Sequence, residues 1–246
     1  MEQYKNKIIF FSDLDNTLIY SKRKCLNKEK EYMPIAINKK GENHSFIEKG
    51  TQDFINILME SNKIEFIPTT VRNLNSYNRS KFSKNSKINF AIINFGRTIL
   101  YKNKILNEYE KYMKKLYKNI KLDNLYIKVS NFILENISKE MEIKIIENSY
   151  INISYNKLEE DEKFNNFFKK TIKEQFLTKE YYLHHNDTSF AILPIFLNKQ
   201  TAVEFIIKKL HPSMTIGAGD NKSDINFLKI TDFMLIPNKS QISEVI

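Results

Sequence analysis

Short uninterrupted apolar runs alternate with stretches whose apolar residues recur at helical spacing, and the two periods together predict an α/β protein. Ile8 to Phe11 is the first such run and reads as a strand buried on both faces, as in a parallel sheet. Gln52 to Ser61 carries Phe54, Ile55, Leu58 and Met59 on one predicted helix face. Ile64 to Pro68 is then a second core strand, Asn73 to Phe82 a helix and Ile88 to Asn94 a third strand, with Gly96 permitting a turn into a hairpin. Between the first strand and the first helix, Tyr32 to Ile37 and His44 to Ile47 alternate around a polar turn at Gly41, the pattern of a hairpin. Ile19 to Lys30, with its SKRK and NKEK clusters, reads as exposed and turn-rich.

From about Leu106 the pattern changes. Glu108 to Ile120 and Leu122 to Ser138 predict helices, and Glu142 to Ile146 and Tyr150 to Tyr155 predict strands. The unit then repeats: Lys157 to Phe176 is a helix with Phe164, Phe167 and Phe168 on its apolar side, and Tyr181 to His185 and Ser189 to Leu193 form a strand pair around the polar turn Asn186 to Thr188. Lys199 to Leu210 returns to helix, Ser213 to Leu228 reads as strand, glycine-bearing loop and helix start, and Phe233 to Ile236 is a last short strand.

Chemistry enters at the strand ends. Asp13 and Asp15 follow the first strand with one residue between them. Like charges so close resist desolvation, so a folded chain tolerates them best where a cation or a reactant uses both; the plain alternative is a solvated turn, since Asp and Asn are turn residues. A second strand, in SMTIGAGDNKSDINFL, also ends in acids, Asp220 and Asp224. Two strands of one parallel sheet ending at the same edge would gather all four carboxylates into the oxygen-rich cluster that Mg²⁺ prefers.

These residues carry a resemblance to the haloacid dehalogenase superfamily of aspartate-nucleophile phosphatases. Its first motif, DxDx[TV], is matched by Asp13, Asp15 and Thr17; its second, a strand ending in Thr or Ser, by IEFIPTTVR with Thr70. The third, a Lys near a helix start, is matched by Lys199, and the fourth, GDxxxD, by Asp220 and Asp224. The four occur in the superfamily's order over nearly the whole chain, although Val71 stands where many relatives have Gly and Ser223 where the related GDxxND pattern has Asn. The resemblance implies a Rossmann-like, doubly wound parallel-sheet core at residues 1–106 and 186–246, with an inserted type-two α+β cap at 107–185 and a flap formed by the early hairpin. It implies that Asp13 is the nucleophile and that Asp15 protonates the leaving oxygen and later activates water. Mg²⁺ would be held by Asp13, the Asp15 carbonyl and Asp220, with Asp224 orienting from outside, while Thr70 and Lys199 hold the transferring oxygens. Thr17, Arg72 and Asn221 are expected on the substrate side.

Composition narrows the class of protein. The chain has 246 residues, 41% hydrophobic and 28% charged, which suits one large domain with an insert or two domains. No apolar run approaches the roughly 20 residues that span a bilayer, and MEQYKNK leads directly into a strand, so a cytoplasmic, non-membrane protein is expected. Cys25 is the single cysteine and allows no intrachain disulfide. The net charge of +10 invites a nucleic-acid partner, yet Lys and Asn are used throughout the chain. The notable run is Phe66 to Asn107, with eight Lys or Arg and no acid, beginning at Arg72 just past Thr70, where an anionic substrate would gain from it. His184 and His185 alternate across a strand and so form no two-His metal site. The expected partner is a small phosphorylated metabolite, a sugar phosphate first, rather than nucleic acid. A phosphomutase shares every motif, and a non-catalytic nucleic-acid or protein binding module on the same fold is the reading from another class.

Overall fold

A computed structural model describes residues 2–25, 27, 29–137, 141–155, 162–186 and 189–244. The chain divides into two compact units, Met1–Met113 with Asn198–Ile246, and Lys114–Leu197. In chain order the first unit opens with β1 (Ile8–Ser12), β2 (Ile19–Ser21), β3 (Tyr32–Ile37), β4 (Asn43–Glu48) and α1 (Lys49–Glu60). It continues with β5 (Ile64–Pro68), α2 (Leu74–Asn78), β6 (Phe90–Ile93), β7 (Thr98–Tyr101), β8 (Lys104–Ile105) and α3 (Asn107–Tyr117), within which the division falls. The second unit contains α4 (Leu122–Asn136), β9 (Met141–Ile146), β10 (Tyr150–Tyr155), α5 (Glu162–Gln175), β11 (Tyr181–Asn186) and β12 (Ser189–Pro194). The chain then returns through α6 (Lys199–Leu210), β13 (Met214–Ala218), α7 (Ile225–Leu228) and β14 (Phe233–Leu235).

The first unit is organised on β1. It lies inside a parallel sheet of order β14-β13-β1-β5, and a parallel bridge from Thr69 to Ile92 carries the order on toward β6. Buried on both faces, β1 needs apolar side chains at every position, which is why IIFF reads as a run rather than an alternation. Phe10 packs on one face with Phe66, Ile55, Ile35, Ile47, Leu14 and Leu18, a cluster to which α1, β5 and the β3–β4 hairpin all contribute. The register sets the geometry of everything that follows: Ser12 pairs with Ala218 on one side and Pro68 on the other, so β1, β13 and β5 end level. Past that line the Asp13 N–H still donates to the Ala218 carbonyl at 2.9 Å, and the Thr69 N–H to the Ser12 carbonyl at 2.7 Å.

The second unit is a four-stranded antiparallel sheet of order β11-β12-β10-β9, in which two helix-plus-hairpin segments join through β10 and β12. Ile151, Ile153, Phe190 and Ile192 share one sheet face and pack on Leu125, Val129 and Ile133 of α4 and Phe168 and Ile172 of α5. No helix among the described residues is long and apolar enough to cross a membrane.

Several local expectations change. Ile19 to Lys30 is not uniformly exposed: Ile19 is fully buried, and β2 pairs with β4, making the early hairpin a three-stranded sheet of order β2-β4-β3. Asn73 to Phe82 is not one helix. The Ser80 backbone is extended and bridges to Ala36, so α2 stops at Asn78 and a 3₁₀ turn, Lys81–Lys84, follows. Phe54 and Phe167 remain 43% and 56% exposed, because Ile55 and Phe168, one helical step of about 100° away, take the inward positions. The predicted start of the third insert helix at Lys157, the end of the preceding helix at Ser138 and the turn at 187–188 lie outside the described residues.

Candidate active site

The level ends of β1, β13 and β5 deliver the acids and Thr70 to a common edge. Asp13 is 5% exposed, Asp220 6% and Asp224 1%, and one carboxylate oxygen from each lies within 4.8 Å of the others. Lys199, the first residue of α6, reaches this group from the side: its Nζ donates to Asp13 Oδ1 at 2.5 Å and to Asp224 Oδ1 at 2.7 Å. Thr17 Oγ1 stands 3.1 Å from both Asp13 Oδ2 and Asp220 Oδ1. A hydroxyl has one proton, so these two acceptors share it.

Local sequence explains how each acid is held. Asp224 closes a capping box: the Asn221 side chain accepts from the Ser223 N–H, while Asp224 Oδ2 accepts from the Asn221 N–H at 3.2 Å. Asn221 Oδ1 is thereby occupied by the loop itself. Gly219 makes room for this, since a Cβ there would lie 2.7 Å from the Asp224 Cβ. Thr70 is fully buried, and its Oγ1 accepts from the Arg72 N–H at 3.2 Å.

Asp15 faces a different partner. Arg72 donates through Nε to Asp15 Oδ2 at 2.7 Å and through Nη2 to Asp15 Oδ1 at 2.6 Å, and Nη2 also reaches Ser45 Oγ on β4 at 3.0 Å. The Asp15 carboxylate therefore lies outside the three-acid cluster, and Arg72, the first cation of the basic run, is engaged by it. Ser45, 3% exposed, joins the site without any signal in the sequence.

The electrostatics follow from burial. Desolvation, with repulsion from Asp224 and Asp15, raises Asp13 to about 8 against the pull of Lys199. Desolvation and Asp224 raise Asp220 to about 6. Burial disfavours the Lys199 ammonium, yet Asp13 and Asp224 outweigh it and hold the group charged. With Asp15 matched by Arg72, three carboxylates face one ammonium, an excess of two negative charges when all are ionised. Hard oxygen donors with that excess fit a divalent cation such as Mg²⁺.

A second region meets the chain at the start of α6, beside Lys199. After β6 the backbone of Asn94, Phe95 and Gly96 is left-handed at three consecutive residues, φ 55°, 58° and 87°. For the two residues with side chains this costs on the order of 1 kcal/mol or more each. Gly96 abuts the start of α6, where an added Cβ would lie 2.3 Å from the Asn198 carbonyl oxygen. Asn198 caps α6 by accepting from the Thr201 N–H at 3.0 Å. Gly96 was legible as a turn, but its contact with the Lys199 helix was not, because the two are distant in sequence.

Comparison with known proteins adds the family. A sequence profile for sucrose-6F-phosphate phosphohydrolase matches residues 6–236. No curated protein sequence is detectably similar to the chain. Among solved structures, the Synechocystis sucrose-phosphatase bound to sucrose and phosphate is 14% identical, with a TM-score of 0.58 over 98% of this chain and 86% of that one. The C-terminal domain of C. albicans trehalose-6-phosphate phosphatase is 12% identical, with a TM-score of 0.62 over 92% and 75%. The Plasmodium falciparum IMP-nucleotidase bound to IMP is 15% identical, with a TM-score of 0.57 over 98% and 68%. At these identities the structures speak for the fold alone.

Proposed function

The chain belongs to the sucrose-6F-phosphate phosphohydrolase family of haloacid dehalogenase-type phosphoric monoester hydrolases, and from that premise we propose that it hydrolyses a small sugar phosphate through an aspartyl-phosphate on Asp13. The observation that carries the reading is the set of three buried carboxylates around Lys199 at the end of β1. Among the described residues Lys199 fixes Asp13 Oδ1, whereas Oδ2 has a share of the Thr17 proton and is assigned as the oxygen that attacks phosphorus. The transition state of phosphoryl transfer is loose, so positioning and charge neutralisation supply most of the rate. Asp15, in its protonated form, gives its proton to the departing sugar oxygen, and the carboxylate that results, held by two N–H bonds from Arg72, takes a proton from the water that cleaves the acyl phosphate and so regenerates the acid. Thr70 lies at the same edge and is assigned to the transferring oxygens. Asp13 and Asp220, with the Asp15 carbonyl, would hold Mg²⁺, and Asp224, whose two oxygens are engaged by Lys199 and the Asn221 N–H, would orient the cluster from outside; the ion would supply charge neutralisation between a carboxylate nucleophile and a dianionic ester. The unit Lys114–Leu197 is assigned as the cap, on the resemblance of its two helix-plus-hairpin segments to the type-two cap.

Sucrose 6-phosphate and trehalose 6-phosphate are the first substrates to test, given what the family and the structural relatives are named for. Release of inorganic phosphate from a panel of sugar phosphates and an aryl phosphate should be detectable, should stop with EDTA and return with Mg²⁺. Asp13→Asn should abolish it while the thermal melt remains cooperative. Undiminished turnover by Asp13→Asn would remove the nucleophile assignment.

A further inference from the structure

We infer that the left-handed turn Asn94–Gly96 and the Tyr109 hydroxyl act as a positioning device for Lys199, holding the first residue of α6 at the height from which its ammonium reaches Asp13 and Asp224. The inference rests on the proposed phosphatase reading for its catalytic meaning, but not for its geometry. Gly96 is the point of contact: its φ of 87° and the approach of the Asn198 carbonyl both exclude a side chain, and an added Cβ would also sit 3.2 Å from the Lys199 Cα. The turn is held from its other side. Tyr109, 1% exposed on α3, donates its hydroxyl proton to the Gly96 carbonyl at 2.6 Å. Arg97, the next residue, makes a two-pronged pair with Glu110 of α3 at 2.7 and 3.0 Å. The circuit closes through α6: Tyr109 and Tyr112 pack their rings against Phe205, with centroids 4.9 and 5.8 Å apart, and Glu108 pairs with Lys209.

Turn, α3 and α6 thus brace one another, and the Lys199 end of α6 is the end that meets Gly96. A buried ammonium that must serve two carboxylates tolerates little displacement, since both bonds are short and the side chain is only 6% exposed. A misplacement of about 1 Å in such a group can lower turnover by on the order of a hundredfold. Phe95, a non-glycine residue kept left-handed in this turn, fits a backbone held for a purpose other than its own stability.

Gly96→Ala and the milder Tyr109→Phe test this with two readouts. The first does not require activity: the acylation rate of each lysine is mapped by peptide mass, with exposed Lys208 on the same helix as the internal reference. Lys199 should be strongly protected in the unaltered protein and become reactive in both variants, while Lys208 stays constant. The second is kinetic: kcat should fall by about tenfold in Tyr109→Phe and further in Gly96→Ala, with KM little changed. In a Lys199→Arg background the Tyr109→Phe loss should shrink, because the group being positioned is already altered. Unchanged Lys199 protection in Tyr109→Phe, or an equal Tyr109→Phe loss in both backgrounds, would overturn the inference. An unaltered protein that cleaves no phosphate ester would instead count against the phosphatase reading, leaving the acylation result to decide the geometry.

Discussion

At the scale of single residues, the site is a problem of unbalanced charge. Asp13 and Asp220 are both raised, chiefly by burial, to about 8 and about 6. An acid whose folded value lies above its unfolded value binds more protons when folded, so its contribution is fully present below the unfolded value near 4 and is lost as pH climbs toward 8. The metal-free protein should therefore lose stability between pH 5 and pH 8. A divalent ion replaces those protons, so the rise in melting temperature on adding Mg²⁺ should be larger at pH 8 than at pH 5.5. Melts with EDTA or Mg²⁺ at the two pH values check this; a rise that is the same at both would speak against the three-acid site. Arg72 sets a separate expectation. Lysine cannot reproduce its two-pronged hold on Asp15 together with the bond to Ser45, so Arg72→Lys should lower kcat by roughly 10- to 100-fold. The midpoint for Mg²⁺ activation should stay where it is, because Lys keeps the positive charge that Arg72 sets near Asp13, and among the described residues Arg72 hydrogen-bonds to Asp15 and Ser45 rather than to the three clustered acids.

At the scale of elements, what could be read from sequence followed from how fully an element is buried. IIFF declared itself because β1 is covered on both faces, and SYINIS because one face of β10 is packed and alternation survives. Asn73 to Phe82 misled because the extended Ser80, bridged to Ala36, breaks a helix that composition alone would continue. The Ser45–Arg72–Asp15 chain was illegible for a different reason: it depends on β4 coming within reach of Arg72 in the segment after β5, and neither stretch's pattern records its neighbour. The glycine-bearing loop after β13 makes its own prediction. Gly219→Ala would drive a methyl group against Asp224, so it should weaken Mg²⁺ binding about tenfold and also lower the melting temperature of the EDTA-treated protein. Calorimetric titration of Mg²⁺ reads this directly; equal affinities would mean that Asp224 is dispensable for the ion.

At the scale of the whole molecule, residues some two hundred positions apart in the chain meet because one sheet interleaves the two ends of the first unit: β13 lies beside β1, and Thr17 bonds Asp220. The order of motifs predicted this meeting, since strands of one parallel sheet share a carboxyl edge. What the order could not reveal was the support for Lys199, which passes through a turn, α3 and α6 and leaves no periodic trace. The sequence pattern changes near Leu106, whereas the second compact unit runs from Lys114 to Leu197, and its two helix-plus-hairpin segments are joined into one sheet by β10 and β12. The central claim is that phosphate passes through Asp13. Its most direct test is to quench the enzyme with acid during turnover of a cleaved substrate and map the covalent phosphoryl group by peptide mass. The account predicts an adduct on Asp13 that is absent from Asp13→Asn; turnover with Asp13 unmodified, or with the group on another residue, would contradict it.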